Sequence, residues 1–88
     1  MNRIQAILTI DTDNLPFNFQ EIIKEEQEMV LKWKEEGVLE HFYLRQTKNG
    51  AVFLFKDVDE ERVGKLMKSL PLFTLKKSVE YFNLIKQF

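Results

Sequence analysis

The stretch that decides the fold is "VLEHFYLRQTKNGAVFLFK", residues 38–56. Two runs rich in β-branched, aromatic and aliphatic side chains, 38–46 and 51–56, flank "TKNG", and the Asn49-Gly50 pair is a strong hairpin signal. Two antiparallel strands are expected there. Upstream, "RIQAILTI" (3–10) places Ile4, Ala6, Leu8 and Ile10 on one face and Arg3, Gln5, Ile7 and Thr9 on the other, which is the period of a strand.

Between these strands, "DTDNLP" supplies turn chemistry and "FNFQEI" opens a helix. Asn18 is its expected N-cap and Glu21 the capping-box partner, with Phe17 and Ile22 spaced for a hydrophobic staple. That helix should run to about Glu36 and stop at Gly37, whose missing Cβ suits a left-handed terminal residue. Downstream, "DVDEERVGKLMKSL" spaces Val63, Leu66, Met67 and Leu70 helically behind a capping box of Asp57 and Glu60. Pro71 ends this second helix, and "KKSVEYFNLIKQF" reads as a closing strand.

The element order is strand, helix, strand, strand, helix, strand, the ferredoxin-like βαββαβ pattern. The fold class is therefore α+β: one domain over residues 1–88, with a four-stranded antiparallel sheet and both helices on one face. Alternation carried through the hairpin assigns Ile4, Ala6, Leu8, Ile10, Phe42, Leu44, Val52 and Leu54 to the helix-covered face. The open face then receives Gln5, Ile7, Thr9, His41, Tyr43, Arg45, Ala51, Phe53 and Phe55. Leaving those aromatic rings in water would approach the largest apolar patch that a typical monomer shows. A homodimer with its sheets face to face is the economical solution, and a domain of this size benefits from such support.

Composition narrows the chemistry. The 88 residues contain no cysteine and one histidine, so neither a disulfide nor a thiolate metal site is available, and no metal or cofactor is expected. The glycines are isolated, with no phosphate loop and no nucleophile elbow. Residues 1–44 carry four Lys or Arg against nine carboxylates, net −5, and residues 45–88 carry nine against five, net +4. This balance offers no basic footprint for nucleic acid, though opposed halves suit self-complementary docking. No run approaches the ~20 apolar residues that span a bilayer, and no secretory leader is evident. A cytoplasmic setting without a membrane partner is expected.

Glu26 stands on the apolar stripe of the first helix, four residues after Ile22 and three before Met29. A carboxyl there either bends out to solvent or is partly buried, with its pKa raised toward neutrality and suited to proton transfer. His41 titrates in the range for proton shuttling. Arg45 could grip a carboxylate, or pair with an acidic neighbour. Tyr43 could offer its phenol to a ligand, and Phe53 and Phe55 would wall the site or simply pack.

Several of these residues together resemble the muconolactone isomerase family. The signal is "SLPLF" (69–73) after an amphipathic helix, preceded by a strand with "FLFKDVDE" (53–60) and by a helix ending "EEG" with His41 four residues past the glycine. The resemblance implies a ferredoxin-like fold paired into dimeric α+β barrels, able to assemble into larger rings, whose founding members shift a double bond in a lactone of aromatic catabolism. It implies that Glu26 and His41 match a helix glutamate and a second-strand histidine of the family. The family's Trp-Arg pair is replaced by "YLRQ", which displaces Arg45 by one place, and length differs by one residue before the second helix and again after LPLF. Pro71, Leu72 and Phe73 would then close the barrel mouth or pack on a partner subunit, or else cap this chain's own core.

Two functions follow. One is a cofactor-independent isomerase in which Glu26, His41 or both move a proton on a small lactone or carboxylic acid, with Tyr43, Arg45, Phe53 and Phe55 holding it in an inter-subunit cavity. The other is a non-catalytic homo-oligomeric module that binds a small ligand or only assembles.

Overall fold

A computed structural model describes residues 2–88. The chain forms β1 (Asn2–Ile10), α1 (Phe19–Glu36), β2 (Leu39–Leu44), β3 (Gly50–Lys56), α2 (Glu60–Lys68), a 3₁₀ turn (Pro71–Leu75) and β4 (Lys76–Ile85). The strands make one antiparallel sheet in the order β2-β3-β1-β4. This is a mixed α+β fold of ferredoxin-like topology. Among the described residues, no helix is long and apolar enough to cross a membrane.

The register corrects one assignment of faces. Phe42 pairs with Phe53, Leu44 with Ala51, and Ala6 with Phe53, so Ala51, Phe53 and Phe55 share the helix-covered face with Ile4, Ala6 and Leu8. Phe53 and Phe55 are completely buried, and Val52 and Leu54 take the open face instead. The loop is the cause. Arg45 N–H donates to Gly50 O (3.0 Å) and Lys48 N–H to Arg45 O (2.9 Å), so four residues, 46–49, separate the closing pair and fix its parity. The left-handed turn residue is Lys48 (φ 61°) rather than the Asn49-Gly50 pair. Gly50 is needed for another reason: a Cβ there would lie 1.9 Å from Leu8 O on the neighbouring strand.

Trp33 lies over Phe55 and Phe53, with ring centroids 5.8 and 6.4 Å away, and Phe42 meets Phe53 at 5.0 Å. These tilted contacts centre the core between α1 and the sheet. Val63, Met67 and Leu70 bury the apolar side of α2 and the residue that follows its cap.

Helix boundaries also differ from expectation at the N-terminal ends. Asn18 precedes α1 with φ −93° and ψ 24°, and its side chain makes no capping bond. Phe17 is fully exposed, so the staple to Ile22 is not formed. Asp59 caps α2 in place of Asp57, accepting from Arg62 N–H at 2.8 Å. At the other end of α1, Gly37 takes the expected left-handed conformation (φ 83°). Pro71 opens the 3₁₀ turn, two residues beyond the Ser69 cap of α2.

Candidate functional site

The arrangement around Glu26 begins with helix periodicity. Phe19, Ile23 and Glu26 fall on one face of α1, and that face looks down on the ends of β1, β2 and β3. A cavity of about 190 Å³ lies between them, walled chiefly by Leu8, Ile10, Phe19, Ile23, Phe42, Leu44 and Leu72. Glu26 lies in its wall, 3% exposed. Leu72 N–H donates to Glu26 Oε1 at 3.1 Å. No buried side-chain oxygen or nitrogen lacks a partner among the described residues. Oε2 accepts no hydrogen bond from the described residues, and Glu26 is one of the residues that line the cavity.

Burial in this apolar setting pushes the Glu26 carboxyl up to about 7, and the Leu72 hydrogen bond opposes only part of that rise. Desolvation dominates because removing the charge from water costs more than one neutral N–H returns. A carboxyl titrating there divides its population between acid and base near neutral pH. It can give or take a proton with little driving force lost.

Two cations border the same cavity, Arg45 and Lys48. Arg45 donates from Nη1 to Thr9 Oγ1 at 2.8 Å, and by register Thr9 belongs to the open face. Arg45 thus spans the sheet end between cavity and open face, with its guanidinium anchored. Its remaining donors take no protein acceptor among the described residues. Lys48 comes from the left-handed position of the hairpin loop. An apolar chamber with one proton-exchanging carboxyl and cations at its rim can admit a small organic anion and move a proton on it.

The other predicted residues lie elsewhere. His41 and Tyr43, with ring centroids 6.1 Å apart, pair with Leu54 and Val52 on the open face. They border a larger, shallower cleft of about 340 Å³ along the outer edge of β2, which Glu26 does not line. Neither of these two cavities is lined by both Glu26 and His41. Phe53 and Phe55 belong to the core under α1. Leu72, 8% exposed, packs in this chain's own core while Pro71 and Phe73 are half-buried. Phe73 is covered in part by Lys76, whose Nζ sits 5.0 Å from the ring centroid.

A separate ionic cluster closes the opposite end of the sheet. Arg3, only 6% exposed, meets Glu40 through two bonds, Nε to Oε1 at 2.8 Å and Nη2 to Oε2 at 3.1 Å. The hydrogen bonds from Arg3 hold the Glu40 carboxyl down at about 2. Lys86 Nζ approaches the same carboxylate at 3.7 Å. Arg3 Nη1 donates to Asn2 O at 3.2 Å, so all three guanidinium nitrogens bond within the protein and the cluster reads as structural.

Sequence reasoning missed Lys48 and the wall residues Phe19 and Ile23. The two wall residues carried a signal, their spacing with Glu26. Lys48 carried none, since only the loop's realised length brings it to the rim.

The whole fold is similar to known structures. A muconolactone isomerase crystal structure superposes with a TM-score of 0.77 at 18% identity, over 99% of this chain and 91% of that one. An antibiotic biosynthesis monooxygenase superposes at 0.66 with 11% identity, over 99% of both chains. A hypothetical protein from Pyrococcus horikoshii does so at 0.53 with 8% identity, over 99% of this chain and 93% of that one. No protein-family model matches the chain, and no curated protein sequence does. At these identities the likeness is one of fold.

Proposed function

We propose that this chain is a cofactor-independent acid–base catalyst of isomerase type, acting on a small lactone or carboxylic acid in the cavity beneath α1. One observation carries the reading: Glu26 is buried in the wall of an apolar chamber with one oxygen fixed by Leu72 N–H and no protein donor on the other, and its carboxyl titrates near 7. Structural residues seldom need that combination. In the proposed step Glu26 takes a proton from a carbon beside the substrate carbonyl and returns it at a second carbon, which moves the double bond without net loss of atoms or electrons. Arg45 and Lys48 hold the substrate carboxylate at the rim. His41 has no part in this step.

The fold likeness to a muconolactone isomerase favours this class, and the likeness to a monooxygenase shows that the fold alone does not choose it. The test is calorimetry and turnover with muconolactone, on the wild type and on Glu26→Gln and Arg45→Ala. Arg45→Ala should weaken binding by at least about tenfold, and Glu26→Gln should retain binding while losing on the order of 10²–10⁴ in rate. A folded wild type that neither binds nor turns over muconolactone rejects the lactone, and turnover that survives Glu26→Gln rejects the carboxyl as proton carrier.

A second reading concerns assembly. Ile7, Val52 and Leu54 are only half-buried on the open face, and Phe82, Leu84 and Tyr43 are exposed beside them. This favours a homodimer with paired sheets, in a barrel-like arrangement, and would hold for a non-catalytic module as well. Sedimentation should give a dimer mass for the wild type and a monomer for Phe82→Asp. A wild type monomeric at high micromolar concentration rejects it.

A further inference from the structure

The loop between β1 and α1 is incomplete in a specific way. Residues 11–18, "DTDNLPFN", connect Ile10 to Phe19, and both of those residues line the cavity. Between them Leu15 is exposed and Phe17 has no cover at all, although an apolar chamber opens at either end of the loop. The loop is held near its first residue, where Asp11 N–H donates to Leu75 O at 2.9 Å and Asp13 N–H and the Asn14 side chain donate back to the Asp11 carboxylate. At its other end the backbone bonds from Phe19 N–H to Pro16 O and from Glu21 and Ile22 N–H to Asn18 O hold the helix start, with no side-chain cap.

The sequence meanwhile encodes a second arrangement for this end. Asn18 and Glu21 have capping-box spacing, and Phe17 and Ile22 have staple spacing. An N-cap residue ordinarily has extended backbone, from which its side chain accepts an N–H two or three residues on. Asn18 instead lies near the bridge region (φ −93°, ψ 24°) with its side chain unused. Rotating ψ of Asn18 toward extended values would free its side chain to cap and swing Phe17 toward Ile22. Ile22 does not itself line the cavity, but it lies one helical turn from Phe19 and Glu26, which do, so the ring would arrive beside the cavity. Phe17 is two residues from Phe19, and two residues span at most about 7 Å, so the movement stays local.

We infer that residues 12–18 are a lid with two conformations, the open one seen here and a closed one in which Asn18 caps α1 and Phe17 packs on Ile22 over the cavity. Phe17 is then a further substrate-contacting residue, selecting occupants with an apolar body below the charged rim. The inference rests on the cavity being a binding site, but the two-state loop is measurable without a ligand.

The experiment is NMR on the full chain, first alone and then titrated with benzoate, a small apolar carboxylate. Alone, amides of residues 15–22 should show exchange on the microsecond–millisecond scale, and Asn18→Ala should suppress it. With benzoate, contacts should appear between the Phe17 ring and the Ile22 methyls, and Phe17→Ser should weaken benzoate about three- to tenfold. Cavity methyls of Leu8, Ile23 and Leu72 that shift while the loop stays unchanged would overturn the lid and leave the binding site standing. Loop exchange with no shift of those methyls would retain the two-state loop and reject the cavity as a carboxylate site. A Phe17 environment that follows protein concentration and ignores benzoate would overturn the lid in favour of a contact between copies.

Discussion

Replacing Glu26 with glutamine removes a proton-binding group from the folded chain while nearly preserving its shape. In the folded protein the carboxyl titrates at about 7, against 4.5 for the ordinary side chain. Between those values the unfolded chain has released its proton and the folded chain still holds it, so stability falls as pH rises. Below 4.5 both states are protonated and the folded state is not penalised; above about 7 the penalty is complete. The gap corresponds to about 3 kcal/mol at most, less whatever hydration the cavity supplies. Glutamine keeps an oxygen for the Leu72 N–H and has nothing to ionise. Urea unfolding followed by Trp33 fluorescence from pH 4.5 to 8 should therefore show Glu26→Gln gaining about 2–3 kcal/mol on the wild type across the range, with most of the gain between pH 5 and 7. Glu40 titrates at about 2, outside that window, and other groups cancel in the difference. A difference that does not change with pH would refute both the buried acid and the catalytic role built on it.

Four further outcomes can be checked. Phe53→Ala should cost about 3–5 kcal/mol and Leu54→Ala less than about 2 in the same unfolding assay, because the first empties the core and the second trims a half-covered face. Gly50→Ala should cost about 1–3 kcal/mol or more, since its Cβ has no room beside Leu8 O. Gly64→Ala, whose Cβ meets nothing within 4 Å on α2, should stabilise by about 0.5–1 kcal/mol. Acid titration should show wild-type stability present above pH 4.5 and lost as pH falls toward about 2, the range in which the depressed Glu40 carboxyl gains its proton; Glu40→Gln should lose stability at neutral pH and show less of that acid decline.

Element type and order were legible because hydrophobic period is a local property: residues 3–10 alternate whatever they touch, and the stripe from Phe19 to Trp33 repeats helically. Face assignment across the hairpin was not local. It turned on whether the closing pair was Arg45–Gly50, which no single residue announces, and one residue of parity moved Phe53 and Phe55 from the proposed site into the core. Glu26 was legible as a carboxyl on an apolar stripe, since its position on α1 follows from spacing alone. Its partner was not, because Leu72 lies 46 residues away and contributes a backbone N–H that every residue but proline carries. Likewise Arg45 was readable as a cation near a strand end, while its anchor on Thr9 depends on β1 lying two strands across the sheet.

The strand order has a consequence for how the molecule is made. β1 is synthesised before both of its neighbours yet lies inside the sheet, between β3 and β4, and one flank is covered only when Lys76–Ile85 pairs with it. Until then "IQAILTI" presents an unpaired edge of uncharged residues with high β-propensity. A chain truncated before residue 76 is thus expected to aggregate rather than merely lose stability, and the last strand acts as a guard on the first.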